Sequence, residues 1–281
     1  MKYILVPINF DDKGAAVISY SVSLAQELNL ELKLLHVLAM EGVPAPIDAH
    51  AGSISYNGPL GEHLNARLER AENKMKALAK RVNSESNINC EFTIKTGFVD
   101  IQVLEQSESE DIAMVVMGTP QHHNLLNQLL GSRSLKILNH SEIPVLLIPN
   151  NTSYFPIKHI VVGASYENPK DIEASWLIRM ACKLKARLHF IRVTKEINSE
   201  EQLMFTGYKE QLTKLLSNHV ACSFKLVEEE SIDDGLTSYR QINQADLIAL
   251  QRSTKSGWDH LLSENVSKEM ALGTSVPLLI Y

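Results

Sequence analysis

Apolar positions along this chain alternate between a strand-like period and a helix-like period, and the alternation runs through twice. Residues 3–9 open with a near-continuous apolar run, the pattern of a strand buried on both faces of a parallel sheet. A helix is predicted at 13–28, with Val17, Tyr20, Ser21, Leu24 and Leu28 on one side. Residues 32–38 form a second apolar run. A long amphipathic helix is predicted at 62–84 through Leu64, Leu68, Ala71, Met75, Leu78 and Val82. A strand at 91–95, a short helix at 100–107, a strand at 112–117, a helix near 132–139 and a strand at 145–149 follow. Five strands joined by crossovers of helix length predict a doubly wound parallel α/β sheet.

The second half repeats the order, with strands expected near 158–165, 187–193, 222–228, 246–250 and 277–280. The repetition is also literal. Ile4-Leu5-Val6-Pro7-Ile8-Asn9-Phe10 returns as Ile160-Val161-Val162-Gly163-Ala164-Ser165-Tyr166, and Ile143-Pro144-Val145-Leu146-Leu147-Ile148 returns as Val276-Pro277-Leu278-Leu279-Ile280. Two copies of one domain explain this, at 1–150 and 157–281, joined by the polar, Pro-bounded stretch from Pro149 to Pro156. The fold expected is two tandem Rossmann-like domains, each a five-stranded doubly wound parallel sheet with flanking helices. The offset between copies is 156 from Ile4 to Ile160 and from His36 to Arg192, but 132 from Phe92 to Phe224. The first copy therefore carries about 24 extra residues, much of them in Met40–Gly61, which is rich in Gly, Pro, Ala and Ser. That insertion reads either as a cover over a ligand or as a disordered loop.

Composition narrows the partners. The chain has 281 residues, 44% hydrophobic, with a net charge of −6. No basic run of the kind that binds nucleic acid is present. No stretch approaches the roughly 18 apolar residues of a membrane span, and the N-terminal apolar run breaks at Pro7 before Asp11-Asp12, unlike a targeting signal. The expectation is a cytoplasmic protein without membrane or nucleic-acid partners. Cys90, Cys182 and Cys222 lack metal-ligand spacing and read as small apolar residues in a reducing compartment.

In an open parallel sheet, ligands bind beyond the carboxyl ends of the strands, where strand order reverses. Three segments of the first copy converge there: Pro7-Ile8-Asn9-Phe10, His36-Val37-Leu38, and Met117-Gly118-Thr119-Pro120-Gln121 with the loop on to Gly131-Ser132-Arg133-Ser134. Glycine and hydroxyls at a helix N-terminus offer free N–H groups and the positive end of the dipole, which suits phosphate. Ser132 or Ser134 is equally a plain N-cap.

Leu5-Val6-Pro7, Leu35-His36-Val37, Val116-Met117-Gly118-Thr119 and the closing Ile143-Pro144-Val145-Leu146-Leu147-Ile148-Pro149 resemble the universal stress protein family. Both halves carry the likeness, which points to its tandem type. ATP-binding members have Gly, two residues, Gly, nine residues, then Gly and Ser or Thr. Here Gly118, Gln121, and Gly131-Ser132 after His122–Leu130 keep that spacing without the middle glycine. The family's acidic residue after strand one falls on Asn9. The resemblance implies that Pro7, Ile8, Asn9 and Val37 line a base and ribose pocket, that Met117 and Gly118 form its floor, and that Gln121, Gly131, Ser132 and Ser134 border the phosphates. The implied ligand is ATP or another adenine nucleotide, with Mg²⁺ accompanying it. The family also implies an intramolecular pseudo-dimer through the final strands, a homodimer of chains as a further level, and a protein partner of unknown identity.

The second copy departs further. Glu264 stands at the place of Gly131, Asn265 at Ser132, Gln251 at Gly118, Gly163 at Pro7 and Ser165 at Asn9. A carboxylate repels phosphate, so nucleotide is expected in the first copy alone. His122-His123 and the acidic stretch Glu228-Glu229-Glu230 with Asp233-Asp234 read as solvated loops, His36 reads as a strand-end hydrogen-bonder, and Trp258 and His260 as bulk filling an emptied pocket. No catalytic or metal-ligating constellation is legible. The reading is a stress-response binding and signalling module. A nucleotide-free scaffold and a slow ATP hydrolase stand as alternatives.

Overall fold

In a computed structural model of the chain, the apolar runs become the strands of one continuous sheet. It describes residues 2–10, 12–39, 59–118, 132–149, 152–164, 176–216, 220–251 and 276–281. The first half contains β1 (Tyr3–Pro7), α1 (Asp12–Leu28), β2 (Glu31–Leu38), α2 (Pro59–Glu85), β3 (Cys90–Thr96), α3 (Val99–Ser107), β4 (Ile112–Gly118), α4 (Ser132–His140) and β5 (Val145–Ile148). The second contains β6 (His159–Gly163), α5 (Trp176–Leu184), β7 (Arg187–Thr194), α6 (Ser199–Leu216), β8 (Cys222–Glu228), α7 (Ile232–Asn243), β9 (Leu247–Leu250) and β10 (Leu278–Ile280).

The ten strands run in the order β3-β2-β1-β4-β5-β10-β9-β6-β7-β8. Counted from its outer edge, each half therefore reads third, second, first, fourth, fifth, the doubly wound order the crossovers predict. Pairing is parallel within each half, and β5 meets β10 antiparallel at the centre. The final strands thus shield each other's edges instead of leaving them open to other chains.

Side chains alternate between two apolar layers, as a strand period of two requires. Ile4, Val6 and Ile8 pack with Val17, Leu24 and Leu28 of α1 and Met75 and Val82 of α2. Leu5, Val37 and Met117 pack on the other face with Val103 of α3 and Ile137 and Leu138 of α4. The first layer continues across the centre to Ile160, Phe190 and Leu212. Outside the sheet, Lys183 Nζ donates to the Leu28 carbonyl at 2.6 Å, and Tyr154 of the connecting stretch meets Tyr20 edge-on at 4.9 Å.

In the first half, two boundaries differ from the sequence reading by two or more residues. β1 stops at Pro7 instead of residue 9, after which the Ile8 N–H makes one more bond, to the Leu35 carbonyl at 2.9 Å. α2 begins three residues early, at Pro59, because proline's fixed φ and missing N–H suit the first helical position. The rest of the predicted insertion, 40–58, lies outside the described residues.

Candidate functional site

Parallel register brings Pro7, Val37, Met117 and Gly118 to one edge, while the Ile8 side chain turns to the other apolar layer. Pro7 pairs with Leu35 of β2, and Leu5 with Val115 of β4, so the ends of β1, β2 and β4 lie side by side. Val37 and Met117 are each 8% exposed and belong to the same apolar layer. Pro7 and Gly118 are half-buried, and Asn9 is exposed just beyond the strand. The edge therefore presents an apolar floor with one neutral amide at its rim, which can accept and donate hydrogen bonds but carries no charge.

The phosphate side is described in part. Gln121 and Gly131, with His122 and His123, lie outside the described residues, as does the side chain of Ser132. Ser132 is the first residue of α4, and Ser134, its third residue, is half-buried. What fixes α4 is legible. Lys136 Nζ lies 3.1 Å from Asp100 Oδ2 of α3, and Asp100 is 7% exposed. Burial pushes the Asp100 carboxyl up, but the Lys136 contact and local backbone N–H groups hold it below its ordinary value. The ion pair ties the helix that starts at Ser132 to its neighbour.

His36 behaves as predicted. Its Nδ1 lies 3.1 Å from the Ile8 carbonyl, and its ring packs 4.4 Å from Phe10, so it shapes the exit of β1.

The second copy differs in geometry as well as in sequence. A β-carbon on Gly163, the counterpart of Pro7, would stand 2.6 Å from Leu250 Cδ2 and 3.5 Å from Leu236 Cδ1. Leu250, at the place of Met117, is 3% exposed. Leucine has closed in where the first copy keeps a proline ring. Arg192, at the place of His36, is held by Glu201 at 2.9 Å. Around the acidic stretch, Ser231 caps α7 by accepting from the Asp234 N–H, and Glu228 accepts from the Ile197 N–H at 3.0 Å. Asp233, expected in solvent, is instead buried beside Ser231. Trp258 and His260 lie outside the described residues.

Two features escaped the sequence reading. The first is a cavity of about 470 Å³ between the exit of β1, α1 and α2. It shares Ile8 and Asn9 with the predicted site but lies on the opposite face from Val37 and Met117. Its signal was present in Lys74, Leu78 and Arg81, spaced at helical intervals beside the buried stripe of α2. The second is a polar chain at the opposite edge of the sheet, centred on buried His189 and reaching half-buried Ser223 and exposed His159. Ser223 Oγ lies 2.8 Å from His189 Nδ1, and His189 Nε2 lies 3.1 Å from His159 Nδ1. His189 pairs with Ser223 on adjacent strands, a register that no local sequence motif announces.

Among the described residues, no group of three or more His, Cys, Asp or Glu is arranged to hold a metal ion. No helix among them is long and apolar enough to cross a membrane.

Known proteins match this geometry. The sequence pattern of the Universal stress protein family matches residues 1–149. Universal stress protein A homolog 1 of Coxiella burnetii is 28% identical over 149 residues, covering 52% of this chain and 95% of that protein. Universal stress protein YxiE of Bacillus subtilis is 25% identical over 144 residues, covering 51% of this chain and 96% of that protein. Over the full length, the chain superposes on the crystal structure of a universal stress protein from Archaeoglobus fulgidus with a TM-score of 0.74 and 15% identity, covering 99% of this chain and 95% of that one. This last likeness extends the fold to the second half.

Proposed function

The chain belongs to the universal stress protein family, and from that premise we propose that it is a stress-response binding module whose first half takes one adenine nucleotide. The base and ribose lie against Pro7, Asn9, Val37 and the backbone at Ile8, whose side chain belongs to the other layer, over a floor of Met117 and Gly118. The phosphates lie toward Gln121, Gly131, Ser132 and Ser134. The observation that carries this reading is the contrast between the two copies at equivalent strand ends. In the first, Val37, Met117 and Gly118 stand beside an exposed Asn9. In the second, Leu250 has moved against Gly163.

The first-copy residues suit the ligand. An apolar floor with a few convergent polar groups is the usual make-up of a small-molecule site. Asn9 can reach a ribose hydroxyl or a base edge without ionic repulsion, and Ser132 opens a helix whose N-terminus favours anions. Bound ATP brings Mg²⁺ to neutralise its phosphates. Occupancy then alters which partner the module engages.

Native mass spectrometry and calorimetry of the intact chain test the proposal. One ATP or AMP per chain is expected, lost in Gly131→Glu. Two equivalent sites, or no binding at all, would overturn it, the latter in favour of a scaffold. Turnover that persists through purification and vanishes in Gly131→Glu would make the module a slow hydrolase.

A further inference from the structure

We propose that the cavity between α1 and α2 is a second ligand site, specific for a small organic anion with an apolar body. This inference does not rest on the nucleotide reading: the cavity lies on the opposite face of the sheet from Val37 and Met117, and only Ile8 and Asn9 at the exit of β1 border both.

The space arises from small side chains. Gly14 and Ala15 of α1 face Ala77 of α2 across it, so neither helix fills the gap between them. Ile8, Phe10, Ile18 and Leu78 give it apolar walls. At about 470 Å³ it falls within the range of roughly 300–1,000 Å³ typical of small-molecule sites.

The polar groups share one sign. Lys74 and Arg81 stand on α2 two turns apart, about 10 Å along the helix axis, and Asn9 is the remaining polar side chain of the lining. No carboxylate lines the cavity among the described residues. Lys74 is held in place, with Nζ 5.0 Å above the Phe10 ring. That ring rests on His36, which is itself fixed by the Ile8 carbonyl. Arg81 forms no ion pair among the described residues and is exposed at the rim. The first turn of α1 contributes Gly14, which places the positive end of that helix's dipole at the same edge.

Apolar walls with a cation at each end suit an aliphatic or aromatic chain bearing a carboxylate or sulfonate. A triphosphate fits poorly. Two solvated cations cannot balance its charge, and the apolar walls do nothing for its oxygens.

Fluorescence titration of the intact protein with 8-anilinonaphthalene-1-sulfonate tests this. One saturable site per chain is expected. Arg81→Glu and Lys74→Glu, both at exposed positions, should each weaken it about tenfold by removing one charge-assisted contact. Ala77→Trp, which fills the space, should abolish it with the circular dichroism spectrum unchanged. Decanoate should displace the probe and decanol should not, while excess ATP should leave it in place. Equal displacement by decanoate and decanol, more than one probe per chain, or unchanged binding in both charge reversals would each overturn the site. Failure of ATP to bind leaves this proposal standing, and failure of the probe leaves the nucleotide proposal standing.

Discussion

Leu279 of β10 lies directly across from Leu146 of β5, the central rung of the antiparallel pair that joins the two halves into one sheet. Both side chains are fully buried. They belong to the apolar layer that runs from Ile4 in the first half to Phe190 in the second. The seam is thus core, not surface.

Leu279→Ala should therefore destabilise the whole chain, by roughly 2–5 kcal/mol for a buried leucine truncation. Because the layer is continuous, urea unfolding should stay a single transition with a lower midpoint. Two separated transitions, with only the second half affected, would show that the halves fold independently of the seam.

Glycine positions give a sharper contrast. A β-carbon on Gly235 would lie 2.7 Å from both methyls of Val193 and 3.3 Å from its Cβ. At Gly163 the close atom is Leu250 Cδ2, the far end of a side chain that can rotate. Gly235 sits inside α7, where alanine gains about 1 kcal/mol of helix propensity. A β-branched neighbour is stiff at χ1, and overpacking costs roughly 1–3 kcal/mol, so the clash should win. Gly235→Ala should lower thermal stability, and Val193→Ala in the same chain should recover part of the loss. Gly163→Ala should cost less. An unchanged or raised melting temperature for Gly235→Ala would show that Val193 yields freely.

The sheet was legible because strand and helix periods alternate cleanly, and because Ile143–Ile148 and Val276–Ile280 advertise the repeat. The edge formed by Pro7, Val37 and Met117 followed from topology alone, since parallel strands bring their carboxyl ends together. The cavity did not follow. It depends on the distance between α1 and α2, which Gly14, Ala15 and Ala77 set jointly and no single-segment pattern encodes. The His159–His189–Ser223 chain was hidden for a similar reason. Its members are scattered over three strands, and only register makes them neighbours.

His189 should make stability depend on pH. It is 7% exposed, and burial, then the charges of His159 and Arg187, hold its imidazole below the ordinary value. Neutral His189 accepts at one ring nitrogen and donates at the other, Nδ1 facing Ser223 Oγ and Nε2 facing His159 Nδ1. Tyr239 OH stands 3.4 Å from His189 Nδ1. Protonation would put a hydrogen on both ring nitrogens and so remove whichever of the Ser223 and His159 contacts His189 accepts. The unfolded state therefore binds the proton more readily, and stability rises with pH. This contribution is complete above the unfolded value of about 6.5 and is lost as pH falls below it toward the lower folded value. Urea midpoints between pH 5 and 8 should show this slope in the native chain. In His189→Gln the proton uptake on unfolding should drop by no more than about one. An identical slope in both proteins would mean that His189 already accepts its proton in the folded state.

The nucleotide reading turns on the one residue that breaks the phosphate motif. Gln121 stands where ATP-binding relatives of this pattern have glycine, in a segment with Gly118 before it and Gly131 after it. If the nucleotide binds as proposed, a side chain at that position would keep backbone N–H groups away from the phosphate oxygens. Gln121→Gly should therefore tighten ATP and leave adenosine nearly unchanged, because only the phosphates approach that position. A charge-assisted hydrogen bond contributes roughly 1.5–3 kcal/mol, and the added chain entropy of glycine offsets about 0.5–1 kcal/mol. One recovered contact then means about tenfold in affinity. Gly131→Glu, which copies Glu264 of the second half, should abolish ATP binding while the circular dichroism spectrum stays native. Paired titrations of both variants with ATP and adenosine separate the causes. A gain for ATP alone in the first variant and a loss in the second place the phosphates beside residues 121 and 131. Silence in both would remove the first half as a nucleotide site and leave a paired-sheet scaffold in its place.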